Sequence, residues 1–174
     1  MNSYPLGFFN VLEQSTLDKI SFLHPKIRSE VISLLEQAEL AIDSNLRIRV
    51  IQGMRSIIYQ DALYAQGRTR PGAIVTKAKG GSSLHNYGLA VDLCWLLKQG
   101  DGTFKYQEKE SWVFGPNYDK VVKIFKDAGY TWGGDWKSIK DNPHFEKDFG
   151  LGWRGLYKKY TNKDFITGTE YVNI

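Results

Sequence analysis

Only three histidines occur among the 174 residues, His24, His85 and His144, so chemistry that needs an imidazole has few places to happen. His85 stands in the string SLHNYGLAVD, seven positions before Asp92, the one charge in the apolar run LAVDLCWLL. His144 stands in DNPHFE, where Pro143 imposes an extended backbone, so that Phe145 can turn inward while His144 and Glu146 share the other face. Two neutral imidazoles and one carboxylate form a three-ligand set suited to one catalytic Zn2+ ion, with the fourth position left for water. Zinc lowers the pKa of its bound water to about 7 and polarises a carbonyl, two things an amide bond must receive before it breaks at neutral pH. A nearby carboxylate must still take the water's proton and pass it to the leaving amine. Spacing alone leaves Asp141, Glu146 and Asp135 as candidates for that task. Arg55, just beyond a predicted strand that ends at Gly53, is placed to offer a fixed positive charge to the developing oxyanion.

Each of these residues also has a plainer reading. Asp92 could simply accept backbone hydrogen bonds at a strand irregularity, and Arg55 could be an ordinary surface arginine. His24 precedes Pro25 at a helix start and reads as structural. The spacing of seven between His85 and Asp92 is odd, so an unbroken strand would send the two side chains to opposite faces; Gly88 offers a bend or bulge that could reunite them. No nucleophile elbow and no P-loop occurs, and the glycine pairs at 80–81 and 133–134 lack a phosphate-binding context. Cys94 is the only cysteine, which rules out an intrachain disulfide, and its apolar surroundings make it chemically inert.

The elements that must position these groups can be read from periodicity. Ile27, Val31, Leu34, Leu35, Ala38, Ala41 and Ile42 fall at helical spacing and predict an amphipathic helix over 26–44, with Pro25 in its first turn. Leu46, Ile48 and Val50 alternate with Arg47 and Arg49, the pattern of a half-buried strand. Ser56 caps a second helix that stops at Gly67, and GRTRPG and AKGGSS read as loops, the latter leading into His85. A strand over 89–97 is followed by the turn KQGDGTF into a strand around Phe104 and Tyr106. Pro116 opens a third helix with the stripe Tyr118, Val121, Val122, Phe125 and Ala128, ended by Gly129. Short extended pieces and turns then lead to a helical patch with Trp153, Leu156, Tyr157 and Tyr160. This order does not repeat a βαβ unit, so the expected class is α+β: a small single domain over 1–174 with a mainly antiparallel sheet flanked by helices.

Composition sets the outer bounds. A 174-residue chain with 42% hydrophobic, 24% charged and 14% aromatic residues is of one-domain length and folds without disulfide help. Its +4 net charge is scattered rather than gathered in a block, which argues against nucleic acid as a partner. No stretch reaches membrane-spanning length, and MNSYPLGFFNVLEQSTLDKI lacks the basic and apolar regions of a signal peptide. The expectation is a chain made in the cytoplasm that works as a monomer, with no membrane partner.

SLHNYGLAVD fits the SxHxxGxAxD signature of a metallopeptidase family that contains D-alanyl-D-alanine carboxypeptidases of the vancomycin-resistance type and L-alanyl-D-glutamate endopeptidases of phages and bacilli. QGMRSIIYQDALYAQGRTRPG, WGGDWKSIKDNPHFE and LHPKIR also resemble its endopeptidase branch, so the resemblance spans residues 23–147 and leaves 148–174 as a tail packing on or near that core. It implies zinc ligation by His85, Asp92 and His144, Asp141 as general base, Arg55 as a substrate-holding or transition-state residue, and Ser83 as a support for the site. Glu146 then takes a supporting role behind the ligands. It also implies the small α+β fold shared with the zinc-bearing signalling domain of hedgehog proteins, and an activity on the stem peptides of bacterial peptidoglycan. The WGGDWKS and YAQGRT blocks favour the L-alanyl-D-glutamate bond. The alternatives are a D-alanyl-D-alanine carboxypeptidase and a non-catalytic zinc-stabilised binding module, against which Asp141 and Arg55 both speak. Such an activity places the site of action in the periplasm or cell wall, after release or export by a route other than a signal peptide.

Overall fold

A computed structural model describes residues 12–174; most of the stretch considered above for a signal peptide thus lies outside the described residues. Among the described residues five α-helices and five strands follow in the order α1 (Gln14–Ser21), α2 (Pro25–Ala41), β1 (Leu46–Gln52), α3 (Ile57–Ala65), β2 (Ala90–Lys98), β3 (Phe104–Lys105), α4 (Pro116–Asp127), β4 (Thr131–Trp132), β5 (His144–Glu146) and α5 (Gly152–Thr161). All strand pairs are antiparallel, in the order β1-β2-β5-β4, with β3 joined to the far end of β2. The expected α+β class and antiparallel sheet are therefore present.

Alternation dictates which residues the sheet buries. Ile48 and Val50 of β1 and Val91, Leu93 and Trp95 of β2 point into one core with Phe145 of β5. α2 closes that core with Ile27, Val31, Leu34, Leu35 and Ala38, and α4 with Tyr118, Val121, Val122 and Phe125. Phe125 lies 4.6 Å and Tyr118 6.1 Å from Phe145 between ring centres, contacts that fix the short strand β5 although it has only three residues. Leu156 of α5 and Val172 join the same core.

Three sequence expectations change. α1, which buries Thr16 and Ile20, was not anticipated, because its short apolar pattern is too brief to stand out from a loop. β3 is only two residues long, and Tyr106 leaves the sheet so that Trp112 Nε1 donates to its hydroxyl at 2.8 Å. His85 is not in a strand at all: it lies in a 310 turn, Leu84–Tyr87, which ends at Gly88 with φ 67° before β2 begins. Strand parity therefore never governed the pair His85 and Asp92. Gly88 does supply the reversal that joins them, as a left-handed turn terminus rather than a bulge. His24 has the structural role expected of it: it caps α2 by accepting from Lys26 N–H through Nδ1, and its Nε2–H donates to the Val172 carbonyl at 2.9 Å.

One carboxyl group is buried for reasons of folding alone. Glu39 on α2 accepts a hydrogen bond from Ile48 N–H of β1, while Arg47 Nε sits 3.5 Å from its second oxygen. Burial, opposed by these two groups, pushes its pKa up to about 7. The folded value lies above the unfolded value of about 4.3, so the native state binds the extra proton. Its stabilising effect is complete below about pH 4.3 and is lost as pH rises through 7. Glu39→Gln, which keeps an oxygen for Ile48 N–H, should therefore be more stable than the parent at pH 8 by about 1–3 kcal/mol and gain nothing at pH 4, as read from urea unfolding.

Candidate metal centre

The three candidate ligands reach one point from three pieces of backbone. Asp92 and His144 are directly paired residues of neighbouring strands β2 and β5, and His85 is brought over them by the 310 turn. His85 Nε2 lies 3.1 Å from Asp92 Oδ1, His144 Nδ1 lies 3.0 Å from the same oxygen, and the two nitrogens are 3.2 Å apart. Tetrahedral zinc with bonds of about 2.0–2.1 Å would hold its ligand atoms about 3.3 Å from one another. The observed triangle has nearly that size, and these atoms form a group that could hold a metal ion.

The far sides of the imidazoles decide which nitrogens are available. His85 Nδ1 faces the Gly53 carbonyl at 2.7 Å, and His144 Nε2 faces the Glu146 carboxylate at 2.9 Å. Both partners are acceptors, so each ring keeps its proton on that outer nitrogen and turns a lone pair inward. Two lone pairs and a carboxylate oxygen then meet at about 3 Å, an arrangement that calls for a cation among them. The donor set thus fits a metal.

Charge in the centre follows from the same contacts. Burial alone would raise the Asp92 pKa, but His85 and His144 outweigh it and hold the carboxyl well below the usual range. With no ion present, burial opposes protonation of His144, yet its hydrogen bonds to Asp92 and Glu146 prevail and raise its pKa to about 9, so a metal entering the site would displace the proton on the inward nitrogen. Asp141 moves up from the ordinary carboxylate value, first through burial and then through the charge of Asp92, against the pull of His144, His85 and Arg55.

The wider site is a cleft of about 440 Å³ lined by Arg55, Ser83, Trp136 and Asp141 as well as by the three ligand candidates and Glu146. Arg55 Nη2 lies 3.6 Å from Asp92 Oδ2, its Nη1 donates to Gln60 Oε1 at 2.9 Å, and its buried Nε–H has no protein partner. Backbone bonds tie it to the ligand turn, since Arg55 N–H donates to the His85 carbonyl at 2.9 Å. Asp141 is placed by the turn DNPH, in which His144 N–H donates to the Asp141 carbonyl at 3.1 Å. Gly133 must lie against this turn without a side chain, because a Cβ there would come within 2.4 Å of the same carbonyl. Ser83 borders the cleft and closes the His85 turn by accepting Asn86 N–H at 3.0 Å through its carbonyl, a backbone contribution.

Of the sequence-predicted residues, His85, Asp92, His144, Asp141, Arg55, Ser83 and Glu146 all meet at this cleft. Asp135 does not: it is exposed and paired with Lys126 at 2.6 Å, which leaves Asp141 and Glu146 of the three spacing-based candidates for the base. Four contributors escaped sequence reasoning. The Gly53 carbonyl holds His85, Gln60 holds Arg55, Trp136 packs against the His144 ring at 5.0 Å, and Asn86 donates to the Arg55 carbonyl at 2.9 Å while accepting Gly81 N–H at 2.9 Å. Asn86 carried a signal in its place immediately after His85; the other three became visible only in the folded chain.

A centre of two imidazoles and one carboxylate on an antiparallel sheet, opening on a cleft with a further carboxylate and an arginine donor, has the makings of a metal-dependent hydrolase. Residues 76–147 match the family model described as D-alanyl-D-alanine carboxypeptidase. The chain is 40% identical over 126 residues to the peptidoglycan L-alanyl-D-glutamate endopeptidase CwlK of Bacillus subtilis (strain 168), across 72% of this chain and 74% of that protein. It belongs to this family of peptidases. Among solved structures, the L-Ala D-Glu endopeptidase ChiX of Serratia marcescens is 23% identical, with 78% of this chain and 88% of that chain covered and a TM-score of 0.47.

The ligand turn depends on Gly88. A Cβ at this position would lie 2.7 Å from the His24 nitrogen, and φ of 67° is a conformation that L side chains rarely adopt. Gly88→Ala should lower stability by about 1–3 kcal/mol in urea unfolding. Because the displaced turn carries His85, the folded fraction should also bind Zn2+ more weakly in a titration.

Proposed function

We propose that this chain is a zinc-dependent endopeptidase that cuts the L-alanyl-D-glutamate bond in the stem peptides of bacterial peptidoglycan. The observation that carries the chemistry is the convergence of His85 Nε2, Asp92 Oδ1 and His144 Nδ1 on one point beside Asp141. The choice of bond rests on the 40% identity to CwlK, whose name states that activity.

His85, Asp92 and His144 hold the ion, which, when bound, lowers the pKa of water to about 7 and polarises the peptide carbonyl. Asp141, on the wall of the cleft and free of side-chain partners among the described residues, takes the proton of the attacking water and delivers it to the amine of D-glutamate as the bond breaks. Glu146 keeps the outer His144 proton in place and so preserves the inward lone pair. The Arg55 guanidinium, which lines the cleft beside Asp92, offers a positive charge to the oxyanion that develops on the L-alanine carbonyl oxygen. Ser83 supports the ligand turn through its backbone. The substrate reaches one chain acting alone, and the place of action is the cell wall.

Purified protein, as isolated and after chelation, is incubated with peptidoglycan and its stem peptides, and the new termini are identified by mass spectrometry. Zinc-dependent appearance of D-glutamate amino termini is expected. Release of D-alanine instead would establish the carboxypeptidase reading suggested by the family description, and absence of any zinc-dependent product would establish a binding module. Asp141→Ala should keep zinc and lose at least about a hundredfold in kcat, the usual contribution of a general base. His85→Ala should lose both zinc and activity. Full activity in either variant would overturn the roles assigned to these two residues.

A further inference from the structure

The cleft has an uneven charge balance. Its walls carry the carboxylates of Asp92, Asp141 and Glu146, and besides the histidines its cationic side chains are Arg55 and Lys77. Arg55 is already engaged by Asp92 and Gln60. The Lys77 ammonium takes part in no ion pair or hydrogen bond among the described residues.

Lys77 also sits on backbone that is held at a set place relative to Arg55. Gln60 is wholly buried; its Oε1 accepts from Arg55, and its Nε2 donates to the Ala78 carbonyl at 2.9 Å and reaches Thr76 Oγ1 at 3.4 Å. Ala78 N–H donates to Thr76 Oγ1 at 3.1 Å, and Arg68 donates to the Thr76 carbonyl at 3.0 Å. One amide side chain thus grips the residues on both sides of Lys77 and the guanidinium beside the metal centre. Lys77 is exposed, so its long side chain is free to move, but it lines the cleft from backbone that is held in a fixed place.

The proposed substrate supplies a matching anion. In the stem peptide D-glutamate continues the chain through its γ-carboxyl, so its α-carboxyl remains on the carbon next to the nitrogen of the scissile bond. That group is a carboxylate in some walls and a carboxamide in others. Next to the scissile nitrogen that carboxylate comes near Asp141, which must be ionised to act as the base, and a cation on the cleft wall besides the ion and Arg55 offsets the repulsion. We propose that Lys77 binds the α-carboxylate of D-glutamate and makes the enzyme prefer stems with a free carboxyl over amidated stems. The inference rests on the endopeptidase reading above.

The test compares kcat/KM of the zinc-loaded full chain on muramyl-L-alanyl-γ-D-glutamyl-L-lysine and on its α-amide, with cleavage followed by mass spectrometry. The parent should prefer the free acid by about fivefold, the scale of a partly exposed ion pair, and this preference should shrink as ionic strength rises. Lys77→Met should bring the ratio close to unity, chiefly through a higher KM for the acid, Lys77→Arg should preserve it, and Lys77→Glu should reverse it. Melting temperature and zinc content of each variant verify that the fold and metal centre are intact. A parent without preference, or a Lys77→Met variant that keeps the parent's ratio, would overturn the role of Lys77 and leave the endopeptidase reading standing. If the parent cuts neither peptide at this bond, the endopeptidase reading itself falls and the role of Lys77 falls with it.

Discussion

The proton on the outer nitrogen of each ligand histidine is the constraint from which the site follows. A peptide carbonyl behind His85 and a carboxylate behind His144 can only accept, so the outer nitrogens stay protonated and the inward nitrogens are left to share a proton or a cation with Asp92. On a loose backbone these groups would drift apart. The fold prevents that by building them into the least yielding parts of the chain: the Asp92 and His144 pair sits in the β2–β5 ladder, and His85 lies in a turn whose carbonyls are bonded to Arg55 and to the start of β2. Rigid surroundings of this kind preorganise the donor atoms for a cation.

Rigidity reaches the site through the core rather than through the cleft. β5 has three residues, too few to be stable by its own hydrogen bonds. Phe145, between His144 and Glu146, is wholly buried against Phe125 and Tyr118, and this packing anchors the strand and with it the two side chains that point the other way. A single alternation of in and out therefore couples the hydrophobic layer to the polar one. On the opposite edge of the site, Gln60 performs the corresponding task with hydrogen bonds, uniting Arg55 with the 76–78 segment.

Much of this could be read from the sequence, and the boundary between what could and could not is physical. Periodicity located α2, β1, α4 and α5, because their apolar residues repeat often enough to define a face. The three candidate ligands were singled out by residue type and by the resemblance carried by SLHNYGLAVD and DNPHFE, the structure brings them together, and Phe145 was correctly turned inward by alternation. The geometry linking His85 to Asp92 was not, since a 310 turn leaves no periodic trace, and Gly88 was compatible with either a bulge or a turn. Gly53 and Gln60 were also hidden. A backbone carbonyl has no side-chain identity to reveal it, and Gln60 acts on Arg55 across a loop rather than along a helix face. The competition among Asp135, Asp141 and Glu146 needed three dimensions to narrow, because all three lie at plausible distances along the chain.

His24 connects the ligand turn to a distant part of the polypeptide. Its backbone N–H donates to the Gly88 carbonyl at 2.9 Å, and its ring donates to Val172, 148 residues further on. The support beneath His85 is thus complete only when residue 172 is in place. During synthesis the metal-binding side chains emerge from the ribosome well before that residue does. The order of translation therefore delays this support until residue 172 has been made, well after the candidate ligands have emerged.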